Sequence, residues 1–243
     1  GCQWQHIDYA QQLELKRLAV EEALRQVGGI ADVSVLPTLA SPKRYGYRNH
    51  ARFTTGSQGR LGFVHRERRR FVDIEQCMLM DPWINDTLAQ LQGRCDETTQ
   101  LSLRYGASSG SWLIQPTLSN PGIPLKSGQK HYQEEVGGVT FRVAASSFFQ
   151  VNIQLAEVMA GVVRDSLRLS GREIVVDAYA GVGTFAALLA PYASKVIALE
   201  ESASAVQDAS ENLSPFPNVV MRQGKTEKIL AEMDEAVDAV GLA

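Results

Sequence analysis

Apolar positions at helical spacing open the chain. Leu13, Val20, Leu24 and Val27 share one face and Gly28-Gly29 supplies a stop, so the pattern predicts a helix over 8–27. From 44 to 144 the rhythm shortens to strands. YRNHARFTT, RLGFVH, RFVDI, QLSLRY, SWLIQPTL and GVTFRVA, punctuated by Gly and Ser, predict an antiparallel sheet. One helix is expected inside it at about 81–93, with Asp81 as cap and Pro82 in the first turn. After Asn152 helix and strand alternate: a helix at 153–168, the strand EIVVDAY, a glycine turn and a helix from Thr184. The strand KVIALE, a helix at 203–213, the strand NVVMRQ, a helix near 226–232 and a strand starting at VDAV follow. Such alternation predicts an α/β fold with a doubly wound parallel sheet. The expected organisation is a smaller α+β domain with an antiparallel sheet over 1–145, then a Rossmann-like domain over 146–243.

Composition adds limits. No apolar run reaches membrane-spanning length and no signal-peptide pattern opens the chain. The first residue is Gly1 rather than Met, so a native translation start is not expected there. Cys2, Cys77 and Cys95 form an odd, widely spaced set that argues against a disulfide framework and fits a cytoplasmic protein. The net charge of −3 hides an asymmetry. Residues 41–71 hold nine Lys/Arg against one acid, Glu67, while residues 196–243 hold nine acids against Arg222, Lys225 and Lys228. The basic stretch is either a polyanion-binding face or a solvated hairpin surface.

The glycine turn narrows the ligand. Gly181, Gly183 and Ala186 formally satisfy the dinucleotide fingerprint G-x-G-x-x-G/A. Asp177, four residues before the first glycine, would repel a pyrophosphate lying over that turn, which makes an NAD-dependent oxidoreductase the least favoured reading. A cationic ligand without phosphate, S-adenosylmethionine, suits a carboxylate there. Glu200 ends the next strand, where an acid can accept both ribose hydroxyls. The plainer alternative is that Asp177 caps a turn and Glu200 is a surface acid. Upstream, SSFFQVN sets Gln150 between Phe149 and Val151. A buried amide is costly unless paired, so Gln150 either closes a structural network or meets a ligand.

SSFFQVN, DAYAGVGTF, GCQWQHI, YGYRNHARF and LGF…VDIEQC together resemble, in order, the motifs of the S-adenosylmethionine-dependent RNA 5-methyluridine methyltransferases, over nearly the whole chain. The resemblance implies a class I methyltransferase fold, with Gln150, Tyr179, Thr184 and Glu200 lining the cofactor site beside Asp177, Gly181 and Gly183. Ala180 departs from the cysteine that members often carry there. Gly1-Cys2 looks like the end of a Cys-Gly-Gly-Cys motif. In the iron–sulfur branch a stretch like IEQC holds a further ligand, so the resemblance implies Cys2 and Cys77 as ligands of a [4Fe–4S] cluster, with Cys95 structural. Arg44, Tyr47, Arg48, Arg52 and Phe53 suit phosphate contacts and base stacking on RNA. The iron–sulfur branch favours ribosomal over transfer RNA, and a monomer is expected.

Methylation at C5 of uracil needs a thiolate on C6 and a base for the C5 proton. The family takes both from motifs nearer the C-terminus, one of them Ser-Cys-Asn-Pro-like, and neither is present in this sequence. The chain is therefore expected to be truncated at both ends and inactive alone, with about seven residues missing between Val240 and Gly241, where family members carry Asp-Pro-Pro-Arg. The competing readings are a small-molecule methyltransferase and a catalytically inactive RNA-binding module.

Overall fold

In a computed structural model that describes residues 3–242, the first apolar pattern is α1 (Tyr9–Gln26), capped by the Asp8 carboxylate on the Ala10 amide at 2.9 Å. It belongs to a compact unit of residues 1–42, in which the Thr38 hydroxyl donates to the Leu13 carbonyl and the Ser41 amide to the Tyr9 hydroxyl. Residues 43–243 form a second compact unit, which carries all the sheets. No helix among the described residues is long and apolar enough to cross a membrane.

Within the second unit β1 (His50–Thr55), β2 (Leu61–Val64), β3 (Phe71–Asp73), β4 (Gln100–Tyr105) and β5 (Trp112–Gln115) form an antiparallel sheet ordered β3-β2-β1-β4-β5. The α2 helix (Pro82–Leu91) starts on the Asp81 cap and packs Ile84, Leu88 and Leu91 onto Phe53, Leu101 and Leu103 of the sheet. The next pair departs from the sequence expectation. GVTFRVA does not join that sheet: β7 (Val139–Ala144) pairs with β6 (His131–Val136) in a separate hairpin. HYQEEV was not foreseen as a strand because its inward positions read Tyr132, Glu134, Val136, and a glutamate breaks the apolar alternation.

Glu134 is fully buried. Burial pushes its carboxyl up to about 7, against the lowering effect of the Asn49 amide, whose Nδ2 donates to Oε2 at 2.7 Å. The backbone amide of Glu135 donates to the other oxygen.

The C-terminal half follows the expected alternation: α3 (Ile153–Leu167), β8 (Ile174–Ala178), α4 (Thr184–Leu189), β9 (Lys195–Glu200), α5 (Ala203–Asn212), β10 (Val219–Gln223), α6 (Thr226–Ala231) and β11 (Ala239–Leu242). The strands are parallel in the order β10-β9-β8-β11. Both faces are covered, as a near-continuous apolar strand requires. Val175, Val196 and Ala198 join a core with the β6–β7 hairpin, Phe149 and Ala209, while Val176, Ala178, Ile197 and Leu199 pack with Ile229, Leu230 and Met233 on the other side. The β11 strand runs on through Gly241, opposite Asp177, and Leu242, opposite Ala178.

The raised Glu134 carboxyl has a pH consequence. A folded-state value above the usual 4.5 means that the native state holds its proton more tightly than the unfolded chain. This contribution to stability is complete below pH 4.5 and is lost as pH rises to about 7. Thermal melting across that range should show wild type falling faster than Glu134→Gln, which keeps a neutral side chain throughout.

Candidate cofactor site

The glycine turn leaves β8 through Tyr179, an exposed residue at φ 63, followed by Gly181 at φ 56 and Gly183 at φ 86. Left-handed backbone at three of five positions folds the chain back tightly, and glycine is the residue that tolerates it best. The turn is tied to β9 by main-chain donors: Ala180 N donates to the Leu199 carbonyl and Gly181 N to Glu200 Oε2, both at 2.8 Å. A side chain on Gly183 would come within 2.9 Å of Leu213, whereas one on Gly181 would meet nothing within 4 Å. Gly183 is thus required by packing, and Gly181 leaves space over the backbone that a ligand can enter.

One of the two carboxylates, Asp177, is placed differently from the expectation. Asp177 is only 2% exposed and accepts the Ala186 amide at 2.8 Å, so it anchors the first turn of α4 from beneath instead of facing a ligand. Burial, with Glu200 adding repulsion, pushes its carboxyl up to about 7. Glu200 is the half-exposed acid. Its oxygens accept from Gly181 N and from Ser202 N at 2.8 Å each, and each oxygen retains a second lone pair. The charge argument drawn from Asp177 therefore moves to Glu200. Thr184, buried, opens α4.

SSFFQVN is fastened to the same region through α5. Ser147 Oγ donates to Asp208 Oδ2 at 2.8 Å, the Ala144 amide to the same oxygen at 2.7 Å, and the Arg142 guanidinium to Oδ1 at 3.0 Å. One turn further on, Asn212 Nδ2 donates to the carbonyls of Val182, in the glycine turn, and Arg142, both at 3.0 Å. Residues four apart on a helix are neighbours, so Asp208 and Asn212 bring the two motifs together. Neither was found from sequence. The signal was a polar pair on the inward stripe Ala205, Asp208, Ala209, Asn212.

Phe149 is core, tilted against Phe141 at 5.8 Å, while Phe148 is 71% exposed. Asn152 caps α3 on the Leu155 amide, and the Val151 carbonyl accepts from Asn49 N. Gln150, half-buried, makes no side-chain hydrogen bond to another described residue. Two buried atoms without a partner among the described residues, Asn49 Oδ1 and Arg104 Nε, belong to residues that hold this segment. Arg104 donates to the Ala144 and Ala145 carbonyls at 3.4 and 3.3 Å.

Other expected sites fare differently. Arg44 and Arg52 are exposed, Tyr47 and Arg48 half-buried. Phe53 is 1% exposed in the core of the antiparallel sheet, stacked on Phe63 at 5.6 Å, so it cannot stack on a base. Cys2 lies outside the described residues. Cys77 is half-buried, and the described residues include no group of three or more His, Cys, Asp or Glu able to hold a metal. Cys95 is buried, donates to the Leu91 carbonyl at 3.5 Å, and has its thiol pushed up to about 11 by burial, as a structural cysteine should.

A doubly wound sheet with a Gly-x-Gly turn after its first strand and an acid ending its second defines a class I methyltransferase domain. No protein-family model matches the chain. An uncharacterized RNA methyltransferase of Thermosynechococcus vestitus is 30% identical over 99% of this chain and 66% of its own length. Another from Synechocystis sp. is 28% identical over 99% and 64%. The chain thus spans just under two thirds of these relatives. The first alignment covers 294 positions, more than the 243 residues here, so that relative carries residues this chain lacks within the aligned region. Among solved structures, Pyrococcus abyssi tRNA (uracil-54, C5)-methyltransferase in complex with S-adenosyl-L-homocysteine superimposes with TM-score 0.77 at 20% identity, over 99% of this chain and 68% of its own, a likeness of fold. The chain is thus similar over nearly its whole length to RNA methyltransferases, and its fold is that of a class I methyltransferase.

The α5 clamp can be tested by denaturation. Asp208→Ala strands three donors, the buried Ser147 hydroxyl among them, and should cost about 3 kcal/mol in urea unfolding. Asp208→Asn keeps one acceptor oxygen and should cost less.

Proposed function

We propose that this chain carries the S-adenosylmethionine pocket and part of the RNA face of an enzyme that methylates C5 of a uridine. The observation that carries the reading is Gln150: an amide with no side-chain partner among the described residues, on a segment clamped through α5 to an open glycine turn. The residues fit the cofactor, because Gly181 leaves space over its backbone and Glu200 keeps acceptor capacity for ribose hydroxyls. When bound, S-adenosylmethionine supplies the transferable methyl group. Tyr179, Gly181, Gly183 and Thr184 line its site, and the Gln150 amide orients the reacting end. Asp177 supports the turn without touching the ligand.

C5 of uracil becomes nucleophilic once a thiolate adds to C6. C5 then takes the methyl group, a base removes its proton, and the thiolate leaves. We assign neither role to a residue of this chain, whose sequence holds no Ser-Cys-Asn-Pro-like motif and whose Cys95 is buried. Arg44, Tyr47, Arg48 and Arg52 would meet RNA phosphates and sugars. Ribosomal RNA in the cytoplasm is the substrate we favour.

Gln150→Ala should weaken S-adenosylmethionine binding about tenfold, the value of one hydrogen bond to a charged ligand, and leave the melting temperature unchanged. Titration calorimetry and thermal melting read the two, and equal affinity would show the amide to be structural. For the activity, nucleosides from cells lacking the full-length gene should have lost 5-methyluridine from ribosomal RNA. Loss from transfer RNA alone would move the substrate there, and an unchanged profile would contradict the reading.

A further inference from the structure

The β2–β3 hairpin ends in the turn His65–Arg70, and the turn closes on itself. His65 N donates to the Arg70 carbonyl at 2.8 Å, Arg69 N returns to the His65 carbonyl at 2.9 Å, and Arg68 N donates to His65 Nδ1 at 3.2 Å. Arg69 adopts the left-handed conformation, φ 51, a position where an L residue other than Asn or Asp is uncommon. These bonds consume the main chain and leave the side chains free. Arg66, Arg68, Arg69 and Arg70 are all exposed, and none forms an ion pair with a described residue. Arg60, at the base of the same hairpin, shows the contrast: its guanidinium is paired with Asp73. Glu67 is the one acid in the turn.

Four unpaired guanidinium groups within five residues repel one another, an arrangement that a polyanion relieves. Below them, Phe63 sits opposite Val72 across the ladder and both are partly exposed, on the free-edge side of the five-stranded sheet. Planar guanidinium forks match phosphate oxygens two at a time, and a half-exposed aromatic ring beside them suits a nucleotide base. A membrane surface would instead require a broad continuous apolar face.

We infer that the 65–70 turn is an RNA-docking element that grips the phosphate backbone, separate from the glycine turn. This rests on the RNA reading above. The test measures anisotropy of a fluorescein-labelled stem-loop RNA with the full 243-residue chain across a series of KCl concentrations. Replacing Arg66, Arg68, Arg69 and Arg70 together by Ser should weaken binding at least about tenfold at low salt. The log–log salt slope should flatten by about 3, at roughly 0.7–0.9 for each phosphate that is no longer neutralised. Replacing the same four by Lys should keep the slope. Circular dichroism and calorimetric binding of S-adenosylmethionine should be the same in all three proteins. Should the quadruple Ser protein fail to fold, Arg66→Ser with Arg68→Ser, and separately Arg69→Ser with Arg70→Ser, should each remove about half of the slope change. Wild type that binds RNA with a slope unmoved by these changes would overturn the docking element and leave the RNA reading standing. Wild type that binds no RNA would overturn both. Arginine-dependent binding to phosphatidylserine vesicles, with RNA binding unaffected, would assign the turn to a membrane surface and overturn the inference.

Discussion

The site depends on one helical turn of α5. Asp208 collects the Ser147 hydroxyl, the Ala144 amide and the Arg142 guanidinium, and Asn212 holds the Val182 carbonyl of the glycine turn. A carboxylate this deeply buried is tolerated because its oxygens are engaged by donors and a cation stands beside it. The arrangement joins two loops from different supersecondary units. SSFFQVN follows the β6–β7 hairpin and the glycine turn follows β8, so neither could be held in register with the other by local structure alone.

Acid placement at the site follows a division of labour. Asp177, buried under the turn, uses its carboxyl on a backbone amide and is pushed toward neutrality. Glu200, half-exposed at the end of β9, places its carboxylate oxygens where a ligand can reach them. Glu134 repeats the first pattern in the β6–β7 hairpin, paired with Asn49, whose own backbone amide holds Val151. Polar contacts therefore run from the antiparallel sheet through the hairpin to both sides of Gln150. That gives a loop residue a fixed position without a hydrogen bond to its own side chain.

The parallel half was legible in the sequence because its strands are short apolar runs between amphipathic helices, and helix caps such as Asp81 and Asn152 speak locally. The ligand class was legible too, though partly through the wrong carboxylate: sequence spacing places Asp177 at the strand end but does not say which way its side chain is buried. Three features were hidden for one reason. Glu134, Asp208 and Asn212 are polar residues at inward positions, which pattern reading assigns to surface, and only tertiary partners make them tolerable there. Phe53 failed in the opposite sense, since alternation along β1 sends it into the core. The cluster reading came from resemblance alone, and the described residues supply no donor set for it.

The central claim is that the turn from Tyr179 to Gly183 receives S-adenosylmethionine and not a dinucleotide. Calorimetric titration of the chain with S-adenosylhomocysteine and, separately, with NAD tests this most directly. The account predicts saturable one-to-one binding of S-adenosylhomocysteine and none of NAD. Binding of NAD in its place, or of neither, would contradict it.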